Sequence, residues 1–338
     1  MKIKLLLILL IFTGLMSFVA HKDLLFFAPK KWPKPVYNFT NNSLDKTKIK
    51  LGRILFYDPI LSKNNTISCA NCHSPYNAFT HVDHALSHGI GDSIGIRNSP
   101  ALMNLAWHKS FMWDGAVNHL DMQALSPISH LDEMGETIEN VVLKLQQSNG
   151  YKRLFYKAYG DSLATGERVL KSISQFMLTL VSSNSKYDSV INMKASFSIQ
   201  EKKGYTIFLK NCSSCHTEPL FTNLNFENNG LSLDKDLKDY GRIKVTQSAK
   251  DSLKFKVPTL RNIEFTYPYM HDGRFKTIGE VLNHYTDGII HYKTLSQLLQ
   301  KKIKLNADEK VDLTTFLLTL TDKSFLFNPK FGYLNCRQ

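Results

Sequence analysis

Cys69-Ala70-Asn71-Cys72-His73 and Cys212-Ser213-Ser214-Cys215-His216 are two copies of one pattern, Cys-x-x-Cys-His, and together they use four of the five cysteines of the chain. The spacing has a chemical reason: two thiols can add across the two vinyl groups of one porphyrin while the adjacent imidazole stands over the iron. A bare Cys-x-x-Cys would serve equally as half of a zinc site or as a dithiol redox pair. The histidine directly after the second cysteine separates these readings. The pattern therefore predicts two covalently bound haem c groups, with His73 and His216 as the proximal iron ligands. Cys336, the fifth cysteine, is read as incidental.

The two motifs stand about one domain length apart in a chain of 338 residues, so one haem-bearing domain around each is the natural division. Helical spacing over 43–56, 137–147 and 167–181, and capping boxes at Ser198 with Glu201 and at Asn306 with Glu309, predict a mainly α architecture. Few stretches alternate with a period of two. The expected fold is two cytochrome c-like haem domains packed against each other, over 43–183 and 184–338, preceded by an extended lead-in at 21–42. The segment 74–98 is rich in Gly, His and Asp without periodicity, and a loop of that length inside a domain is expected to wrap the first haem.

Lys2 and Lys4 precede an apolar run from Leu5 to Ala20, the layout of a secretory signal over 1–20. Phe18 stands where a cleavage site prefers a small residue, so an uncleaved membrane tether is the alternative. Either way the chain is expected in the periplasm, where haem is attached covalently. The formal net charge is +13, but Lys and Arg are scattered and no nucleic-acid motif appears. The charge is read as a solvated basic surface or as a docking face for an acidic redox partner, and not as a nucleic-acid interface.

Further strings resemble one family, the bacterial diheme cytochrome c peroxidases and their relative MauG. They are Leu51-Gly52 with Leu55 to Pro59, Thr66 to His73, Arg97-Asn98-Ser99-Pro100, Trp113-Asp114-Gly115, Glu133-Met134, Val257 to Asn262, and Tyr269-Met270-His271-Asp272-Gly273. They follow the family's order over about residues 50 to 320. The resemblance implies two haem domains face to face, with hydrogen peroxide reacting at the first haem. Breaking an O–O bond moves a proton from one oxygen to the other, which requires an acid and base beside an open iron face. By the resemblance Glu133 has that role, with Gln123 and Pro127 in the same pocket, Trp113 carrying electrons between the haems, and Asn98, Thr266 and Pro268 holding a calcium ion. His88 is the nearest match to a histidine that ligates the first iron in the resting state and leaves on activation, with His81 and His84 as rivals.

Peroxidase members ligate the second iron with a methionine. The matching position here is Tyr285, as in MauG, with His284 and Met270 as alternatives, and His271 is expected to contact haem without ligating it. A phenolate would favour oxidised iron and a low potential. The leading expectation is a peroxidase that draws electrons from a small donor such as a monohaem cytochrome or a cupredoxin. A MauG-like oxidase of a protein or organic substrate is the alternative. A non-enzymatic electron carrier is the third reading, opposed by Glu133. A homodimer stays open.

Overall fold

The computed structural model describes residues 25–334; the leader at 1–20 and Cys336 lie outside the described residues. The secondary structure is helical apart from two-residue antiparallel strands, β1 at Phe226–Glu227 and β2 at Phe255–Lys256. The helices that build the two cores are α1 Lys46–Tyr57, α2 Ile138–Gln147, α3 Asn149–Tyr159, α4 Gly166–Leu178, α5 Ile199–Asn211, α6 Ile278–Asn283 and α7 Ala307–Leu318. Helix α1 starts later than the apolar spacing suggests because Asp45 caps it, accepting from the amides of Thr47 and Lys48. The boxes at Ser198 with Glu201 and Asn306 with Glu309 form as their spacing predicts. Among the described residues no helix is long and apolar enough to cross a membrane.

Each unit is organised by one helix crossing. Helix α1 lies across α4 and α5 across α7, and each crossing is closed at a glycine. A Cβ on Gly52 would stand 1.8 Å from the carbonyl oxygen of Ser172, and one on Gly204 would stand 1.9 Å from that of Asp312. One turn beyond each glycine a phenylalanine points into the core. Phe56 meets Phe79 and Phe176 with ring centroids 5.8 and 5.3 Å apart, and Phe208 meets Phe221 and Phe316 at 5.4 and 5.1 Å. Such aromatic triads stabilise beyond the area they bury.

The likeness of the units extends to a segment repeated at one constant offset in numbering, from Asn98–Pro127 to Lys256–Tyr285. Asn104 and Asn262 both adopt left-handed backbone, φ 59° and 57°, and each opens a single 3-10 turn, Leu105–Trp107 and Ile263–Phe265. Met112 and Met270 again have positive φ, the bridge Phe111 to Val117 matches Tyr269 to Phe275, and the short helix Leu120–Gln123 matches α6. The two copies meet reciprocally: the amide of Asn98 donates to the His271 carbonyl and that of Lys256 to the Trp113 carbonyl, both at 2.7 Å. The interface is thus a pseudo-two-fold.

The lead-in and the segment after α7 both return to the first unit. Phe26, Trp32, Tyr37 and Phe39 pack on its core, with Trp32 edge-on to Trp107 at 4.9 Å. Phe325, Leu326 and Phe331, which the sequence places with 184–338, also fill that first core. The Gly332 carbonyl accepts from Arg53 Nε and the Phe331 carbonyl from the Tyr57 hydroxyl, both at 2.7 Å.

Candidate functional site

Cys69 and Cys72 bracket a single helical turn that Ser68 and Asn71 close as a capping box. The chain leaves this turn at His73, whose Nδ1 lies 2.7 Å from the Phe79 carbonyl. In the second unit His216 Nδ1 lies 3.2 Å from the Phe221 carbonyl and 3.1 Å from that of Pro258. An Nδ1–H donated to a carbonyl fixes the tautomer and leaves Nε2 as a metal ligand. Burial pulls both imidazoles down to about 4, so they are neutral at pH 7.

The four motif cysteines are free thiols. Burial pushes Cys69 and Cys212 up to about 12 and Cys72 and Cys215 up to about 11. Thiols held protonated at neutral pH do not suit dithiol exchange, which needs the thiolate. Among the described residues no group of three or more His, Cys, Asp or Glu side chains is placed to hold a metal ion. An oriented neutral imidazole beside a buried thiol pair fits a haem in each unit.

Glu133 lies within electrostatic reach of both Cys69 and Cys72. Burial raises its pKa; His130 opposes the shift and Asp132 adds to it. Its backbone is pinned, since its carbonyl accepts from Ile90 N at 2.8 Å, whereas its carboxyl accepts no hydrogen bond among the described residues. Gln123 is buried, with its amide 3.9 Å from Met112 Sδ. Pro127 occupies the place in the first unit that Tyr285 occupies in the second.

The imidazole of His88 is engaged elsewhere: Nδ1 bonds Asp92 at 2.8 Å and the ring packs on His84 at 4.2 Å. His81 lies next along this row, 5.3 Å from His84, and its buried Nδ1 has no partner.

Of the three candidates for the second distal position, Tyr285 lies within electrostatic reach of the Cys212 and Cys215 thiols. Its phenol is pushed up to about 12 by burial, lowered by a bond to Asn229, and raised by Cys215 and Cys212. A π-helical turn, His284–Gly288, directly continues α6 and carries it. His284 Nε2 lies 3.0 Å from the Asn229 carbonyl, and Met270 Sδ lies 3.4 Å from the Asn229 amide. Asn229 thus touches all three. In sequence it reads only as part of an Asn-Asn-Gly turn, so nothing there marks it.

Trp113 sits where the units meet, donating Nε1–H to the Asn98 carbonyl at 2.8 Å. Asn98 is buried and spends its own amide on the Ala85 carbonyl at 2.9 Å. Among the described residues Asn98 Oδ1 and the carbonyls of Thr266 and Pro268 accept no hydrogen bond. Free oxygens of this kind are what a calcium ion takes. His271 stacks on Phe255 at 3.7 Å and is pulled down to about 4 by burial.

The family of di-haem cytochrome c peroxidases matches residues 46–196. The methylamine utilization protein MauG of Methylorubrum extorquens is 33% identical over 300 residues, which cover 85% of this chain and 82% of that protein. The cytochrome c551 peroxidase of Nitrosomonas europaea is also 33% identical over 300 residues, covering 85% and 83%. A solved MauG-like protein associated with microbial copper homeostasis superposes with a TM-score of 0.80 at 31% identity, covering 90% of this chain and 97% of that one. Paired imidazole sites, a helix crossing in each unit and likeness along both units lead to one assignment: the chain belongs to the di-haem cytochrome c peroxidase and MauG family of oxidoreductases.

Proposed function

We propose that the protein reduces hydrogen peroxide to water in the periplasm, with haem c attached covalently through Cys69 and Cys72 in the first unit and through Cys212 and Cys215 in the second. His73 and His216 hold the irons from the proximal side. The observation that supports this reading is the half-buried Glu133 carboxyl, within electrostatic reach of the first thiol pair and accepting no hydrogen bond among the described residues. Haem, when bound, supplies an iron at which peroxide accepts two electrons. Glu133 would be placed to take a proton from one peroxide oxygen and return it to the other, which would leave as water. The remaining oxygen would leave as a second water with two protons from solvent and two electrons from the donor protein. Burial raises the Glu133 pKa, the direction that favours holding a proton. Pro127 offers no side-chain donor, so the position from which Tyr285 would ligate the second iron would supply no ligand in the first unit. Gln123 orients peroxide beside Glu133.

Electrons enter at the second unit from a small redox protein and pass by Trp113. A calcium ion on Asn98, Thr266 and Pro268 would hold the interface between them. For His88 to act as a switchable ligand, its bond to Asp92 must open first. Steady-state peroxide turnover with a reduced small cytochrome, compared between the parent and Glu133→Gln, tests the reading; equal rates would end it.

One observation favours a second reading, a MauG-like oxidase of a protein or organic substrate: the phenol of Tyr285 lies within electrostatic reach of Cys212 and Cys215. Anionic oxygen on iron disfavours reduction. Peroxide consumption that no cytochrome, cupredoxin or dye can sustain, together with oxidation of an added organic donor, would select it.

A further inference from the structure

The constant offset that relates the two copies also relates two places on their interface. It pairs Asn98 with Lys256, Thr266 with His108, and Pro268 with Ser110. The first members of these pairs are the residues proposed to hold calcium. Two of the second members meet directly: Lys256 Nζ donates to the Ser110 carbonyl, the match of Pro268, and lies within electrostatic reach of the imidazole of His108, the match of Thr266.

Lys256 is anomalous for a buried lysine. It is 8% exposed, and among the described residues no carboxylate stands within ion-pair distance of its ammonium. Buried ammonium groups are ordinarily paired with an anion. Here the partner is a backbone carbonyl, with Asp114 helping from farther away and Arg242 opposing. Carbonyl ligation of a lone positive charge is the chemistry of a cation site.

We infer that the Lys256 ammonium is a built-in cation at the pseudo-two-fold mate of the Asn98, Thr266 and Pro268 site, so that the interface is closed by two positive centres, one exchangeable and one covalently part of the chain. The inference rests on the calcium reading for the first place and extends it to the second. It explains why calcium is needed at one place only. It also explains why the reciprocal amide bonds of Asn98 and Lys256 flank both. Burial pulls Lys256 to about 7, so the ammonium form is secured below pH 7.

The two places should be interchangeable by substitution. The holoprotein, stripped with a chelator and titrated with calcium chloride by calorimetry below pH 7, is compared as parent, Lys256→Asn and Asn98→Lys. Lys256→Asn is expected to bind one calcium more than the parent, and Asn98→Lys one fewer, with a thermal midpoint that no longer responds to chelator. Lys256→Asn that folds and binds no additional calcium would overturn the inference. So would Asn98→Lys that folds and still requires calcium, the variant that decides the matter should Lys256→Asn fail to fold. A parent that binds no calcium would overturn the Asn98 reading and with it the pairing of two positive centres, whereas calcium bound by the parent with none gained in Lys256→Asn would overturn the assignment of Lys256 alone.

Discussion

Glu133 and Glu136 share one tight turn and titrate in opposite directions. Burial opposes ionisation of both, but at Glu136 the Lys144 ammonium at 2.6 Å, the Thr137 amide and Asn140 outweigh it and hold the carboxyl below its ordinary range. Glu133 has no such partners and stays above. One carboxylate is committed to the fold; the other is the one proposed to act on peroxide.

Glu133→Gln should therefore lower peroxide turnover by about 10²–10⁴-fold while the haem spectrum of the resting protein is kept. Stability supplies an independent check. A carboxyl whose folded pKa is raised contributes stability below its unfolded pKa and loses it as pH rises through the folded value. The parent, but not Glu133→Gln, should lose stability over that rise, seen by denaturant unfolding across a pH series.

Tyr285→Phe should keep the fold, since the ring remains to pack, but remove the phenol within electrostatic reach of the second thiol pair. Absorption and EPR spectra are expected to change at one haem only. Tyr285→Met should raise the potential of that haem in a redox titration. An unchanged spectrum in both variants would exclude Tyr285 and leave the position to His284 or Met270.

Alanine at Gly52 or Gly204 would place a methyl group inside a backbone carbonyl. Each should destabilise the holoprotein by about 1–3 kcal/mol or more by overpacking, measured as a lower denaturant midpoint. Gly150→Ala, on the exposed start of α3 with only the Ser148 side chain nearby, should be close to neutral.

Asp188 and Arg261 form a bidentate buried pair at 2.8 and 2.9 Å, beneath Trp32. Burial alone would raise the Asp188 pKa, but Arg261 and Ser185 bring it below the ordinary value. The stability it contributes is present above the unfolded pKa, about 3.9, and is lost as pH falls through the folded value. Asp188→Asn should cost about 3–5 kcal/mol at neutral pH, with the difference from the parent shrinking in acid.

The haem motifs, the capping boxes and most long helices were legible because each is a local pattern. Helix α3 was not. Lys152, Arg153 and Lys157 break up the stripe that Tyr151, Phe155 and Ala158 bury. The repeated segment also stayed hidden, although Phe111-Met112-Trp113-Asp114-Gly115 and Tyr269-Met270-His271-Asp272-Gly273 are visibly alike. Its shared residues are those the backbone demands, left-handed Asn and Met and turn Gly, and what lies between them has diverged. Asn229 and Lys256 gain their meaning only from partners far away in sequence, which no local spacing announces.

Phe325, Leu326 and Phe331 belong to the core around the first motif, and Arg53 and Tyr57 close upon Phe331 and Gly332. During synthesis that half of the protein stays unfinished until residues beyond Lys323 have been made. The two halves cannot mature one after the other as beads on a string; late residues are the keystone of the early half.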